Sequence, residues 1–436
     1  MERSLMLNRR KFVETAGLSL LACSLTDGNP LLHTALAADP PRRKLKLAVV
    51  TTVWRYKSHS WHMAERFLHG YPMRGKWHRP EIEVVSAYVD QVPENDLSRT
   101  RSKEFGFTIY PTIAEALRCG GDKLAVDAVL LIGEHGDYPV NDIGQKQYPR
   151  YEFFQQIVDV FRKDNRIAPV FNDKHLSWNF DRAKEMVAAS KSLGFPFLAG
   201  SSLPVTWRMP AIEMPYGAEI EEVLSISPGP VDIYDFHALE MIQCMTERRK
   251  GGETGVVAMQ ALRGDAVWRA MESKSWAGGG WNPSLFEACL SRSHTLAQDP
   301  TLSHRFPTRE QMRAWVKDPI AYRFEYADGL KATMLLMNEL NADFTFAAKL
   351  KGQADPLSTQ FHLPPSPNVV YSAALMSQAE SMFLTGIAPY PVERTLLTSG
   401  LVAAGLKSLA TGEQRLETPH LNVRYTAPRE STFWRE

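Results

Sequence analysis

The sequence predicts an α/β protein of two domains, the first of them built on a doubly wound parallel sheet. The chain has 436 residues, which is more than one ordinary hydrophobic core organises and suits two domains with a leader. From residue 45 onward, continuous apolar and β-branched runs alternate with segments of helical spacing, a pattern typical of strands buried between two layers of helices. A hydrophobic content of 44% and a charged content of 23% agree with a globular protein.

The first domain is predicted as an alternation of short buried strands and amphipathic helices. The predicted strands cover residues 45–53, 82–89, 109–110, 126–132 and 168–171. The predicted helices cover residues 113–117, 153–161 and 180–193. Because a helix separates one strand from the next along most of this segment, we expect the strands to run parallel in one sheet.

The N-terminal segment predicts an export signal. Arg9 and Arg10 precede a modest apolar run over residues 16–23, which is too short to span a bilayer, since a spanning helix needs about 20 apolar residues. A small-x-small cleavage site follows at residues 35–37. Residues 1–37 therefore resemble a signal peptide of the twin-arginine type.

Such a signal places the mature protein outside the cytoplasm, in the periplasm or beyond. The mature chain would begin near Ala38, and residues 38–44 would form a linker to the first strand. Two alternatives stay open, namely a lipid anchor at Cys23, which ends a partial lipobox, and a basic tail without a targeting role.

Composition excludes several classes of partner. The formal net charge is +1, from 50 basic and 49 acidic residues, so nothing favours a nucleic acid or a membrane surface. The four cysteines form no CxxC pair, which argues against a disulfide framework and a zinc ribbon. The expected partner is a small, mostly neutral molecule or another protein.

Polar side chains follow three of the predicted strands directly. They are His59 and His62 after the first strand, Glu134 and His135 after the fourth, and Asp173, Lys174 and His175 after the fifth. Because the carboxyl ends of parallel strands share one edge of a sheet, we expect these groups to converge in one crevice.

Two kinds of chemistry suit that crevice. One is a divalent metal held by His59, His135, Asp173 and His175, which would polarise a substrate oxygen. The other is hydrogen bonding to sugar hydroxyls, with the same groups acting as acid and base. The spacing alone does not choose between them.

Several segments resemble the glucose–fructose oxidoreductase, inositol dehydrogenase and MocA family. Residues 105–117 and 126–132 resemble the core of the family's nucleotide domain, which is Rossmann-like. The family's Glu-Lys-Pro motif carries a catalytic lysine. Lys174 aligns with that lysine, Asp173 stands in for the glutamate, and His175 replaces the proline.

The second half carries a further match to this family. In residues 234–241, His237 matches the family's histidine and Glu240 the acid three residues later, and on a helix this spacing keeps both on one face. Strand-like segments at residues 321–326, 332–336 and 344–348 fit the family's open, mostly antiparallel sheet. The resemblance therefore implies a Rossmann-like domain over residues 45–200 and an α+β domain over residues 201–436.

The first turn departs from the family pattern. The usual GxGxxG lets a pyrophosphate approach the backbone, but residues 51–60 contain no glycine, and Trp54 or Tyr56 would block that approach. The residues left to contact NAD(P) are Thr51 and Thr52 at the first turn, Asp90 as the ribose-binding acid, and Glu134 after the fourth strand.

The resemblance implies an oxidoreductase that acts on a sugar or polyol and passes hydride to or from NAD(P). Lys174 would stabilise the alkoxide, His237 would shuttle the proton, and Glu240 would assist. Two alternatives stay open, namely a metal-assisted carbohydrate lyase, hydratase or epimerase, and a carbohydrate-binding protein without activity. A homo-oligomer formed through the exposed face of the second sheet is also expected from the family.

Overall fold

The computed structural model describes residues 43–302, 305–364, 367 and 369–435. The chain from Lys44 onward forms one compact unit. The predicted signal peptide, its cleavage site and Cys23 lie outside the described residues, so export stays a prediction. Within the part of the chain that the structure describes, no helix combines the length and the apolar character needed to cross a membrane.

The first sheet is a doubly wound parallel sheet, as predicted, and it has six strands. They are β1 (Leu45–Thr51), β4 (Ile82–Val89), β5 (Thr108–Ile109), β6 (Ala128–Ile132), β7 (Val170–Asp173) and β8 (Phe197–Gly200). The strands lie side by side in the order β5-β4-β1-β6-β7-β8, so the winding reverses between β1 and β6. The central strands β1, β6, β7 and β8 are short runs whose side chains are mostly buried on both faces of the sheet.

The connections of this sheet are helical except for one hairpin, β2 (Tyr71–Met73) with β3 (Lys76–His78). Local signals set the helix ends. At the start of the helix over Phe180–Leu193, the Asn179 side chain accepts a hydrogen bond from the Arg182 amide, and Gly194 ends this helix with a φ of 76°. The helices are α1 (His59–Met63), α2 (Glu65–His69), α3 (Ser98–Phe105), α4 (Ile113–Arg118), α5 (Arg150–Asp164) and α6 (Phe180–Leu193).

The second sheet has eight strands, which are β9 (Trp207–Met209), β10 (Ile220–Ser227), β11 (Val256–Arg263), β12 (Ile320–Tyr326), β13 (Lys331–Leu336), β14 (Phe344–Leu350), β15 (Leu357–His362) and β16 (Leu416–Glu417). They lie in the order β16-β11-β12-β13-β10-β14-β15-β9, with every neighbouring pair antiparallel except β10 with β13. This confirms the predicted α+β architecture.

Helices cover both faces of the second sheet. One face packs against α7 (Tyr234–Thr246) and α12 (Glu393–Ala410). The other face is covered by three helices of this chain, α8 (Asp265–Glu272), α9 (Pro283–Arg292) and α10 (Arg309–Trp315), through a separate apolar core. The face by which we expected copies to associate therefore carries α8, α9 and α10, and the oligomeric state stays a prediction.

One hydrophobic core joins the two sheets. It runs from the first sheet through α6 and α12 to α7 and the second sheet. A smaller core lies under β1 and β4 and includes α11 (Tyr371–Thr385). This packing brings the first turn of α7 against the carboxyl ends of β7 and β8.

Candidate active site

A cavity of about 250 Å³ lies where the carboxyl ends of β6, β7 and β8 meet α7. The position agrees with the place where open α/β sheets bind ligands. Its walls combine titratable groups from three strand ends with aromatic rings from the second half of the chain. The principal lining residues are His59, His62, Glu134, His135, Tyr148, Asp173, Lys174, Ser201, Tyr234, His237, Phe344 and Tyr371.

Lys174 enters the cavity from the end of β7. Its backbone has a φ of 64°, and its amide donates to the Gly200 carbonyl at 3.2 Å, which turns the side chain out of the strand direction. The Nζ lies 3.6 Å from Glu134 Oε1, and Arg150 donates to the other oxygen of that carboxylate. Burial alone would raise the pKa of Glu134, but Lys174 and Arg150 lower it well below its usual value. A buried carboxylate thus holds two cations beside the cavity.

His237, at the first turn of α7, faces the same cavity. Its Nδ1 lies 2.6 Å from Ser201 Oγ, and that hydroxyl accepts a hydrogen bond from the Leu203 amide at 3.1 Å. Burial, followed by the Lys174 charge, lowers the pKa of His237 well below its usual value. The imidazole is therefore neutral near pH 7 and has a fixed orientation.

Glu240 does not line the cavity, although it shares the helix face of His237. Its carboxylate accepts from the Thr398 hydroxyl at 2.6 Å and from the Ser201 amide at 3.4 Å. A Cβ on Gly200 would lie 2.7 Å from Glu240 Oε2, and Gly200 has a φ of 130°, so this position requires glycine. Glu240 is placed to hold the turn that carries Ser201, and not to contact a ligand.

His59, the first residue of α1, pairs with Asp173 at the end of β7. The Nδ1 to Oδ2 distance is 2.5 Å, and the carboxylate is 1% exposed. The rings of His62 and His135 pack edge-on against His59, at centroid distances of 4.7 and 4.9 Å. Burial and the Glu134 charge raise the pKa of Asp173 to about 7, while burial lowers the pKa of His59.

The predicted metal centre is not supported. His175 points away from the cavity, where its ring nitrogen lies 3.1 Å from Arg150 and its ring packs against Phe236. Among the described residues, no three or more histidine, cysteine or acidic side chains are arranged to hold a metal ion. The physical reason is the presence of Arg150 and Lys174, whose charges already neutralise the carboxylates that a cation would need.

The dinucleotide that the fold family implies does not fit the first turn. The Thr51 hydroxyl lies 3.0 Å from the Ile132 carbonyl and 2.5 Å from Ser60 Oγ, and the Thr52 hydroxyl donates to the Glu134 carbonyl at 2.6 Å. The Thr52 amide donates to Ile132 as well. These groups close the turn on itself and do not point at a phosphate position.

Asp90, the predicted ribose-binding acid, is also engaged by the protein. Asp90 accepts from the Tyr88 hydroxyl at 2.7 Å and from the Tyr138 hydroxyl at 2.6 Å. Gln91 beside it exchanges two hydrogen bonds of 2.9 Å with the backbone of Asp137. The loop over residues 133–149 is therefore tied across the end of β4, where this fold places the adenosine ribose.

The prediction that Trp54 or Tyr56 blocks a diphosphate is wrong for Trp54. Trp54 is fully buried beneath the turn, stacks on Phe107 at 5.7 Å and donates from Nε1 to Glu65 at 3.1 Å. Tyr56 is 53% exposed and packs edge-on against Trp61. Trp54 thus anchors the glycine-free turn from below, and the closed hydrogen bonds of the turn account for the misfit.

Sequence reasoning missed several groups of this site. Ser201 stands in a crossover segment, and Tyr148 and Tyr371 lie in segments that carried no predicted site residue, although all three line the cavity. Arg150, which pairs with Glu134 beside the cavity, begins α5 and gave no sequence signal beyond a charge. The fixed place of Ser201 directly after β8 was the one usable signal, because strand ends of this sheet carry the site.

Solved structures share this architecture. GenD2 from gentamicin A biosynthesis, in complex with NAD, matches at a TM-score of 0.53 and 11% identity over 86% of this chain and 96% of that one. Myo-inositol dehydrogenase from Lactobacillus casei, in complex with NAD(H) and myo-inositol, matches at 0.50 and 12% over 88% and 98%. A probable dehydrogenase from Thermotoga maritima matches at 0.50 and 12% over 86% and 100%.

These similarities confirm the fold expected from the family resemblance. At such low identity they show the fold alone. No protein-family model matches the chain, and no curated protein matches it by sequence.

Proposed function

We propose that the protein is an enzyme that moves protons at a carbon–oxygen centre of a sugar or polyol. The observation that carries the proposal is the convergence of the Lys174 ammonium and two imidazoles, His59 and His237, in one cavity. Its volume of about 250 Å³ suits a small ligand, since sites for drug-sized ligands run to roughly 300–1,000 Å³.

The cavity supports a polyhydroxylated ligand through two kinds of wall. Glu134, Lys174 and Ser201 offer charged and hydroxyl groups for hydrogen bonds to ligand hydroxyls. Tyr234 and Phe344 lie nearly parallel, at 6° and a centroid distance of 6.2 Å, and give an apolar surface for a ring's C–H face. The binding chemistry is therefore that of a neutral carbohydrate.

Lys174 and His237 have separate roles in the proposed reaction. The ammonium stabilises negative charge on the reacting oxygen, because the Lys174 side chain is only 5% exposed and Glu134 holds its charge in place. The neutral imidazole of His237, fixed by Ser201, exchanges the proton of that oxygen. Both roles are the ones that the family resemblance implies for these residues.

Dehydrogenation with NAD(P) is the second candidate. It is favoured by two neighbours of the same fold that were solved with NAD and by the match of Lys174 and His237 to the family positions. The closed first turn and the hydrogen bonds that occupy Asp90 argue against a bound dinucleotide. The first proposal does not require one.

Untargeted activity profiling separates the candidates. The mature protein is incubated with a polar metabolite extract, with and without added NAD(P), and the masses consumed and formed are compared with those of Lys174→Ala. An isomer, or a product lacking one water, formed without NAD(P) supports the first proposal. Loss of two hydrogens with reduction of added NAD(P) supports the second.

The control is Lys184→Ala, because Lys184 is exposed outside the cavity and its ion pair with Asp181, at 2.7 Å, lies along the surface of α6. This variant should retain the wild-type profile. A wild-type profile identical to that of Lys174→Ala, under both conditions, would rule out both enzymatic proposals and leave a binding protein. Native mass spectrometry of the untreated protein gives a direct check, since a co-purifying nicotinamide dinucleotide contradicts the first proposal.

A further inference from the structure

His59 presents an open ring nitrogen to the cavity. Its Nδ1 is held by Asp173 at 2.5 Å, and the side chain is 14% exposed. Nε2 makes no hydrogen bond to any of the described residues. It is also not one of the fully buried polar atoms without a partner, so it is accessible from the cavity side. The one unengaged nitrogen of this imidazole therefore faces the cavity, which His59 lines.

The carboxylate of Asp173 fixes which nitrogen carries the hydrogen. Above its raised pKa of about 7, Asp173 is ionised and only accepts hydrogen bonds, so in that range Nδ1 of His59 donates and Nε2 keeps its lone pair. The other oxygen of Asp173, Oδ1, is buried without a partner, so no other donor in the described structure competes with His59 for this carboxylate. His59 is thus arranged as a proton acceptor.

His237 is arranged in the opposite sense. Ser201 Oγ accepts from the Leu203 amide, and His237 Nδ1 lies 2.6 Å from the same oxygen, within reach of the hydroxyl hydrogen. If Nδ1 accepts that hydrogen, the neutral ring carries its own hydrogen on Nε2. The cavity then holds one imidazole with an open lone pair and one with an N–H to donate.

We propose that His59, oriented by Asp173, is the general base of this cavity and that His237 is its general-acid partner. The inference rests on the proposed function and deepens it, because such a pair suits a hydroxy-carbonyl form of the sugar. It assigns His59 a role that neither the fold nor the Lys174–His237 match supplies.

The step balances without an oxidant. His59 Nε2 takes the proton from the carbon next to the carbonyl, and the C–H electron pair becomes the carbon–carbon double bond of an enediol. The carbonyl π pair goes to oxygen, which takes the hydrogen of His237 Nε2, while the Lys174 ammonium stabilises the charge that develops there. In epimerisation or isomerisation, the proton on His59 returns to a carbon of the enediol, and an enediol hydroxyl gives its hydrogen back to His237 as the carbonyl re-forms. In elimination, the proton on His59 goes instead to a neighbouring hydroxyl, which leaves as water with its C–O electron pair, while the enediol hydroxyl again returns its hydrogen to His237.

The first test reads the tautomers directly and needs no substrate. Two-dimensional NMR of protein labelled with ¹⁵N-histidine, at mildly alkaline pH, should show His59 with hydrogen on Nδ1 and His237 with hydrogen on Nε2. In Asp173→Asn, an amide that donates to Nδ1 should move the His59 hydrogen to Nε2. Hydrogen on Nε2 of His59 in the wild type would overturn the inference.

The second test probes the open nitrogen by alkylation with bromohydroxyacetone, a small hydroxy-ketone. The lone pair of His59 Nε2 attacks the bromomethyl carbon, a C–N bond forms and bromide leaves. Peptide mass spectrometry should locate the adduct on His59, at a rate that falls at least tenfold in Asp173→Asn and is unchanged in His69→Gln. His69 is the matched control because it is exposed and outside the cavity.

Labelling of exposed histidines with none on His59 would overturn the inference. His59→Gln guards against a folding defect in Asp173→Asn, since it should lose the adduct while keeping the wild-type circular dichroism. These two tests and the test of the proposed function can fail independently of each other. If the tautomers and the adduct are as expected but metabolite profiling shows no turnover, the proposed function fails and the polarised dyad remains.

Discussion

Replacing Glu134 with Gln should destabilise the protein strongly, because among the described residues this carboxylate is the one within ion-pair distance of both Arg150 and Lys174, two buried cations. Arg150 is fully buried and Lys174 is 5% exposed, and both contact Glu134. Breaking a buried ion pair by removing one partner typically costs about 3–5 kcal/mol. The amide oxygen of glutamine still accepts from Arg150, so we expect a loss near the lower end, about 3 kcal/mol.

The pH dependence of that loss follows from the sign of the pKa shift. The pKa of Glu134 is lowered in the fold, so its contribution is fully present above the unfolded value of about 4.3 and is lost as the pH falls toward the folded value. The stability gap between wild type and Glu134→Gln should therefore be constant near pH 7 and narrow below about pH 4.

Urea denaturation followed by circular dichroism measures the gap. The matched control is Glu152→Gln, which removes one carboxylate from an exposed pair with Arg182 at 2.6 Å and should cost less than about 1 kcal/mol. A loss below about 1 kcal/mol for Glu134→Gln at neutral pH would refute the reasoning, because Arg150 and Lys174 would then not depend on this carboxylate.

Three further substitutions test the packing around the site. Trp54→Ala should lower the free energy of unfolding in urea by about 3–5 kcal/mol, because the indole is fully buried. A decrease of less than about 1 kcal/mol would contradict this burial and agree with a Trp54 side chain at the surface of the crevice. Burial raises the pKa of Asp235 to about 6, so the fold holds a proton that the unfolded chain releases near pH 4. The free energy of unfolding should therefore decrease as the pH rises from about 4 to about 6. In Asp235→Asn this decrease should be smaller, and equal slopes in the two proteins would contradict the raised pKa of Asp235. Gly405→Ala should destabilise by about 1–3 kcal/mol despite the better helix propensity of alanine, since the added Cβ would lie 2.3 Å from the Tyr322 ring; a rise in melting temperature would refute this.

Much of the site was predictable because it depends on strand ends. Apolar runs identify β1, β6 and β7 locally, and a parallel sheet brings their carboxyl ends to one edge whatever the rest of the chain does. The convergence of Glu134, Lys174 and His59 follows from that rule alone. His237 was found by its match to the family motif.

The roles within the site were less predictable, because hydrogen-bond partners distant in sequence decide them. Glu240 shares a helix face with His237, yet the turn of β8 and the hydroxyl of Thr398 engage its carboxylate. His175 is adjacent to Lys174, yet Arg150 holds it away from the cavity. No spacing rule contains these partners.

The sequence by itself determined the parallel sheet, its order of elements and the edge that carries the polar groups, because burial on both faces and strand alternation are local patterns. Only the tertiary structure decided that Tyr138 engages Asp90 across 48 positions and that α8, α9 and α10 cover the second sheet. Those outcomes depend on which distant surfaces pack together, and the free energy that selects them is a sum over contacts that no single segment contains.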